Sequence, residues 1–159
     1  MEEKEIHRNL RKYNNLSREH NELYRGFGRE YGLADCAVWI LYILRESDET
    51  YTQRDICERL HQSKQTINTS LKKLEEAGLL GLRYVENNKK SKEIFLTPEG
   101  ILLAEKTADK IMEAERRALA GLSEEEQNTF FGLYDKFIKS LRTELEEVRE
   151  PGIPVGHDE

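Results

Sequence analysis

The sequence contains few prolines and few cysteines. Its three prolines, Pro98, Pro151 and Pro154, leave the first part of the chain free to form uninterrupted helices, because proline breaks a helix interior. The two cysteines, Cys36 and Cys57, form neither a CxxC motif nor a metal-like spacing. We therefore expect both to be free thiols, with Cys36 packed in the interior at the start of an apolar run.

Long hydrophobic runs are also missing. The richest apolar stretch, from Cys36 to Leu44, is far too short to span a bilayer. The acidic first ten residues contain no apolar segment of the kind found in a signal peptide. The sequence thus predicts a cytoplasmic protein that does not associate with membranes.

The patterns of catalysis and metal binding are absent as well. The four histidines, His7, His20, His61 and His157, are far apart and have no ligand-like spacing, so we predict no metal site. There is no Ser/His/Asp order, no phosphate-binding glycine loop and no pair of carboxylates with a reason to be buried. We expect neither an enzyme nor a bound cofactor.

Helical periodicity is the main feature that the sequence does have. Aliphatic and aromatic residues recur every three or four positions along most of the chain, which is typical of amphipathic helices. A stretch rich in turn residues, ENNKKSK, separates two β-leaning runs around Leu82 to Val85 and Glu93 to Leu96, and predicts a hairpin. The predicted helices run from Glu3 to about Gly26, Ala34 to Arg45, Thr52 to about Leu60, Ser63 to about Ala77, Pro98 to about Ala120 and Ser123 to Pro151.

Several of these helices have recognisable start signals. Thr52 with Asp55, and Ser123 with Glu126, have the spacing of capping boxes. Ser63 and Thr97 are candidate N-caps, and Pro98 follows Thr97 at the first helical position, where proline is tolerated. A short capped helix, a tight turn, a second helix and a hairpin follow one another, which is the order of a winged helix-turn-helix.

The helix that begins after Ser63 has two chemically different sides. At 100° per residue, Ile67, Leu71 and Leu74 form one apolar stripe that we predict to be buried. The opposite side carries amides, hydroxyls and lysines, which bond base edges and phosphates in a DNA major groove. An ordinary solvated helix face is the alternative for this helix taken alone. The exposed side consists of Gln65, Asn68, Thr69, Lys72 and Glu76, with Thr66 and Lys73 beside it.

The charge distribution favours nucleic-acid binding at this helix. The chain as a whole has a formal charge of -6. From Thr52 to Glu93, however, there are nine basic and six acidic residues, a net charge of +3. Because salt screens charges beyond about 10 Å at moderate ionic strength, the local charge decides phosphate binding.

These motifs, in this order, resemble the MarR family of bacterial transcription regulators. The resemblance rests on TQRDICERL, SKQTIN, LKKLEEAGLL and LTPEG, all between Tyr51 and Gly100, and the order of elements matches over nearly the whole chain. It implies a mainly α fold with a small β-hairpin wing, that is, a winged helix-turn-helix with a helical dimerisation lobe. Residues 1–150 would form one such domain, with 1–33 and 98–150 in the dimerisation lobe, 34–97 in the DNA-binding lobe and 151–159 as a mobile tail.

The resemblance also implies where DNA is bound. Recognition-helix contacts in the family match Ser63, Gln65, Thr66, Thr69 and Lys73, and wing contacts match the tip from Asn87 to Lys92. Family wings usually carry an aspartate followed by arginines, whereas this tip has only lysines, so we expect weaker minor-groove contact. In the family, the aspartate and arginines also brace the hairpin, and Arg83 is our candidate for part of that bracing role. The full predicted DNA-binding set is Thr52, Ser63, Lys64, Gln65, Thr66, Asn68, Thr69, Lys72, Lys73, Arg83, Asn88, Lys89, Lys90 and Lys92.

Family members commonly respond to small phenolic or other ligands. Trp39 and Tyr42 are our candidates for an effector pocket, with core packing as the alternative. Relatives that sense peroxides use a cysteine in the first helix, and this chain has none there. Regulation by oxidation of Cys36 in the second helix therefore remains an alternative hypothesis.

The sequence thus predicts a homodimeric regulator, a repressor switched by a ligand, on a pseudo-palindromic site in double-stranded DNA. The competing hypothesis is a winged-helix module whose hairpin binds another protein. Salt dependence separates the two, because removing Lys89 and Lys90 flattens the salt dependence of affinity only if they contact phosphates.

Overall fold

The computed structural model describes residues 3–85 and 88–149, and for residues 85 and 88–91 it describes the backbone alone. The predicted tail, residues 151–159, lies outside the described residues. Two compact units make up the chain, Met1–Asp109 and Lys110–Glu159. The predicted division into a DNA-binding lobe and a dimerisation lobe stays a prediction.

The fold is mostly helical with a small antiparallel sheet, as predicted. The sheet has three strands in the order β1-β3-β2, so the predicted hairpin of β2 and β3 gains a third strand, β1. A 3-10 turn, Arg29–Tyr31, precedes α2. The elements are α1 (Glu3–Leu23), α2 (Asp35–Glu46), β1 (Tyr51–Thr52), α3 (Gln53–Leu60), α4 (Lys64–Glu76), β2 (Leu80–Val85), β3 (Asn88–Leu96), α5 (Pro98–Lys106), α6 (Ala108–Ala120) and α7 (Glu124–Val148).

The predicted helix starts are confirmed. The hydroxyl of Thr52 accepts a hydrogen bond from the backbone N–H of Asp55, and the Asp55 carboxylate accepts one from the Thr52 N–H at 2.7 Å. The same reciprocal arrangement links Ser123 and Glu126 at the start of α7. Each of these caps satisfies amide groups that the first helical turn leaves without a partner.

One predicted helix is in fact two. The expected continuous helix from Pro98 to Ala120 breaks at Thr107, where the backbone leaves the helical region (φ −123°, ψ −85°). The buried Thr107 hydroxyl donates to the Leu103 carbonyl at 2.8 Å, and the Thr107 N–H donates to Ala104 instead of Leu103. A threonine that bonds the backbone in this way competes with the regular helical ladder.

The core of the first unit lies between the helices and the sheet. Ile40 of α2, Ile56 of α3 and Ile67 of α4 are fully buried and pack in one cluster with Leu80 and Ile94 of the sheet. Burying each such aliphatic side chain stabilises the fold by about 1.5–3 kcal/mol. This cluster fixes α3, α4 and the two long strands to one another, and therefore sets the orientation of the exposed side of α4.

The second unit has a row of exposed apolar residues along α7. Along α7 the large apolar side chains fall on one side of the helix, and most of them are exposed. Phe130 stacks on Tyr134 with ring centroids 5.9 Å apart, so the aromatic part of this row is ordered although it is uncovered. The exposed members are Phe130, Phe131, Leu133, Tyr134, Phe137, Leu145 and Val148.

No helix among the described residues is long and apolar enough to cross a membrane.

Candidate nucleic-acid interface

A tight turn joins α3 to α4. His61 adopts a left-handed backbone conformation (φ 49°) and ends α3, and the Gln62 N–H donates to the Cys57 carbonyl at 3.2 Å. Ser63 then caps α4, because its hydroxyl accepts a hydrogen bond from the Thr66 N–H at 3.1 Å. The turn leaves the N-terminal half of α4 uncovered.

The two predicted sides of α4 are confirmed. Ile67, Leu71 and Leu74 are all at most 5% exposed. Ser70 is also buried, although the sequence did not assign it to the core stripe. The predicted contact residues of this helix are all exposed: Lys64, Gln65, Thr66, Asn68, Thr69, Lys72 and Lys73.

Local hydrogen bonds and ion pairs determine which groups of these side chains remain available for an external partner. The Thr69 hydroxyl donates to the Gln65 carbonyl one turn earlier at 2.9 Å, so its proton is used inside the helix. The Thr69 methyl group and hydroxyl lone pairs remain for an external partner. Lys72 pairs loosely with Glu76 at 3.7 Å, an exposed pair of small energy.

Thr52 differs from the other predicted contact residues. It is half-buried, and its hydroxyl is engaged by both the N–H and the carboxylate of Asp55. The backbone hydrogen bond from Thr52, followed by the side-chain one, holds the pKa of Asp55 below its usual range. The geometry therefore gives Thr52 a capping role, and its contact with DNA stays a prediction.

The wing has a brace at its base. Arg83 and Glu93 face each other across β2 and β3, with Arg83 Nε 3.1 Å from Glu93 Oε2. The Arg83 guanidinium also lies over the ring of Phe95, 5.8 Å from its centroid, and Lys92 lies over Tyr84 at 5.2 Å. The side chains of Asn88, Lys89 and Lys90 lie outside the described residues.

Glu93 was not predicted as a partner for Arg83. The signal that reveals it is the strand register, which puts the two residues opposite each other. That register was not available from the sequence, because β3 already begins at Asn88, within the stretch predicted as the turn.

A cavity of about 420 Å³ lies beside α2 and the end of α3. Trp39 lines it, whereas Tyr42 is absent from its lining and packs against Trp39 with ring centroids 5.3 Å apart. Tyr24 of α1 packs on Trp39 as well, at 5.1 Å. The lining residues are Asp35, Cys36, Trp39, Arg59, Leu60 and Gln62.

The two cysteines are half-buried free thiols. Both pack against the main hydrophobic cluster of the first unit. Burial raises the pKa of the Cys57 thiol, which disfavours its reactive thiolate form. Among the described residues, no three His, Cys, Asp or Glu side chains are grouped so that they would hold a metal ion.

Comparison with known proteins agrees with this geometry. The model of the MarR family matches residues 31–90. The chain is 32% identical over 114 residues to the HTH-type transcriptional regulator PecS of Dickeya dadantii (strain 3937), covering 70% of this chain and 69% of PecS.

Solved structures show the same fold. S. aureus MepR in its DNA-binding conformation is 25% identical, with a TM-score of 0.69 over 81% of this chain and 95% of MepR. The MepR–DNA complex gives a TM-score of 0.63 at the same identity, over 81% of this chain and 94% of the MepR chain. The transcriptional regulator SlyA, 24% identical, gives a TM-score of 0.64 over 88% of this chain and 98% of SlyA.

Proposed function

The chain belongs to the MarR family, a family of DNA-binding transcriptional regulators and not of enzymes, and we propose that it binds a specific operator as a homodimeric repressor. The observation that carries the proposal is the exposed side of α4. From Lys64 to Lys73 it presents amides, hydroxyls and lysines, while the opposite side of the helix is fixed in the core.

The proposed base contacts come from the first two turns of α4. The amide of Gln65 or Asn68 bonds the N6 and N7 edge of adenine, and the Thr69 methyl group packs on a thymine methyl. Lys64, Lys72 and Lys73 neutralise phosphates on either side. Because Ser63 caps the helix with a short side chain, the helix start approaches the groove closely.

The proposed homodimer follows from the uncovered apolar residues of α1 and α7. Ile6, Leu10 and Leu16 of α1 are each close to half exposed, as are the aromatic residues of α7. A monomer gains little from two long helices with uncovered apolar sides, whereas a second copy covers them. Two-fold symmetry then places two α4 helices on half-sites about 34 Å apart, which is the reason to expect a pseudo-palindrome.

We propose that a small molecule releases the repressor from DNA. The cavity beside Trp39 supports this, because the Trp39 ring and the Arg59 guanidinium both line it and suit a small aromatic ligand. A ligand acts only if it binds one of two conformations better, and here the difference would be in the spacing of the two α4 helices. We place this regulation in the cytoplasm.

Replacement of Gln65 or Thr69 by alanine tests the proposed base contacts. Each change should cost about 1–3 kcal/mol on the operator and much less on random DNA, because only base contacts discriminate between the two. The measurement is DNA affinity by anisotropy at one fixed salt concentration. Lys73→Ala is the matched control on the same helix, since losing a phosphate contact weakens both DNAs alike. Equal losses for the operator and random DNA in the Gln65 and Thr69 variants would reduce these residues to backbone contacts.

Trp39 reports on the proposed effector cavity, because it is the single tryptophan of the chain. A phenol from a test panel that releases the protein from its operator should quench or shift Trp39 emission. In Gln62→Phe, where a bulky ring narrows the cavity, the same phenol should bind at least about tenfold more weakly. A phenol that releases DNA while Trp39 emission stays constant would place the effector site elsewhere.

A further inference from the structure

Glu93 occupies the middle strand of the sheet and reaches both of its neighbours. The register pairs it with Arg83 of β2 on one side and with Thr52 of β1 on the other. Its Oε2 atom accepts a hydrogen bond from Arg83 Nε at 3.1 Å, and its Oε1 atom accepts one from the Thr50 hydroxyl at 3.1 Å. Both carboxylate oxygens therefore have a protein partner, and the Glu93 side chain is only 21% exposed.

Arg83 is held on two sides but remains accessible. Glu93 binds its Nε atom, and the Phe95 ring lies beneath the guanidinium. Phe95 itself sits directly over Gly81, where any side chain would collide with the ring. The Arg83 side chain is 59% exposed, so the guanidinium is oriented without being covered.

This arrangement lies on the side of the sheet away from the core. Leu80 and Ile94 alternate with these residues along the strands and point into the hydrophobic cluster. Gly81, Arg83, Glu93 and Phe95 therefore share the outer side. An arginine bound through Nε still directs its terminal N–H groups outward, and this geometry suits a phosphate oxygen.

We propose that Glu93 is a positioning residue that fixes Arg83 as the phosphate-binding arginine of the wing. The proposal rests on the proposed function, since it needs DNA beside the wing. Glu93 holds the guanidinium to the base of the hairpin and joins it through Thr50 to the segment before α3. In this way the wing has a rigidly held arginine, although the only basic residues of its tip are lysines.

Simple electrostatics and the positioning role predict opposite effects of removing Glu93 on DNA affinity. An acidic residue beside a DNA-binding arginine repels phosphates, so its removal alone would strengthen binding. An exposed ion pair without a functional role contributes little, and its loss would leave binding unchanged. If Glu93 positions Arg83, its removal weakens binding in spite of the lost negative charge.

The test is a double-mutant cycle on the full-length protein and a DNA fragment that the wild type selects from genomic DNA. Glu93→Ala should weaken binding about five- to tenfold, and Arg83→Ala by a similar factor, whereas the double variant should be no weaker than Arg83→Ala alone. Both single variants should lower the slope of log affinity against log salt by about one phosphate contact. Thermal unfolding confirms that each variant is folded.

Two further variants separate the positioning of Arg83 by Glu93 from the repulsion of DNA by a negative charge. Glu93→Gln keeps an acceptor for Arg83 and a polar group for Thr50 but loses the charge, so it should bind at least as tightly as the wild type. Glu75→Ala removes an exposed acid from α4 and should strengthen binding, as expected where an acid has only an electrostatic effect.

The possible outcomes are distinct. Glu93→Ala binding as tightly as the wild type, or weakening binding equally when Arg83 is already alanine, would overturn the positioning role. Loss of affinity in Glu93→Gln as large as that in Glu93→Ala would do the same. If the wild type selects no DNA at all, the proposed function itself fails. If it selects DNA but Arg83→Ala binds normally, only the role of Glu93 and Arg83 fails.

Discussion

Replacing Gly100 with alanine should destabilise the first unit by roughly 3 kcal/mol or more, at the upper end of the cost of overpacking. Gly100 lies in the first turn of α5, and a Cβ atom there would overlap the carbonyl oxygen of Leu79. That carbonyl also accepts the Thr97 N–H at 3.1 Å, and the Thr97 hydroxyl donates to the Gly78 carbonyl at 2.6 Å. The contact is between backbones, so no side-chain rotation relieves it.

Chemical denaturation monitored by circular dichroism measures this effect. Gly132→Ala is the matched control, because Gly132 lies in the interior of α7 with open space around its Cα atom. There, alanine should stabilise the helix by about 0.5–1 kcal/mol. A Gly100→Ala variant as stable as the wild type would contradict the close contact between Gly100 of α5 and the Leu79 carbonyl.

Phe130→Asp should separate the proposed homodimer and with it abolish tight operator binding. Phe130 is 51% exposed on the apolar side of α7, in contact with Phe131 and Tyr134. In a symmetric interface each substitution appears twice, and each carboxylate buried without a partner costs about 3 kcal/mol. The dimer dissociation constant should therefore rise at least about a hundredfold.

Sedimentation equilibrium measures the mass of the protein in solution and so the dimer dissociation constant. Fluorescence anisotropy measures its affinity for the operator. Asn128→Asp introduces the same side chain on the polar side of the same helix and should leave both mass and affinity unchanged. A Phe130→Asp protein that still sediments as a dimer would exclude this side of α7 from the interface.

The local structure was largely predictable from short-range signals. The caps at Thr52, Ser63 and Ser123 use hydrogen bonds between residues three positions apart, so the sequence alone contains the information. The apolar stripe of α4 was likewise predictable, because helical periodicity determines which side faces the core. Helical periodicity therefore also predicts which side of α4, the proposed recognition helix, is exposed.

The features that were missed depend on longer-range contacts or on subtler competition. The break at Thr107 has no proline or glycine to mark it, and arises from a hydroxyl that bonds its own helix. Strand β1 is only two residues long and forms because Tyr51 and Thr52 meet β3 some forty residues later. The Arg83–Glu93 pair depends on the register of β2 and β3, which no local pattern specifies.

Selection of bound fragments from the genomic DNA of the host tests the central claim most directly. The wild type should enrich a small set of fragments that share a pseudo-palindrome, with half-site centres about one helical turn, or 34 Å, apart. A variant with both Gln65→Ala and Thr69→Ala should lose that enrichment while it retains salt-sensitive binding to random DNA. No enrichment by the wild type, or the same fragments enriched by the variant, would contradict sequence-specific recognition by α4.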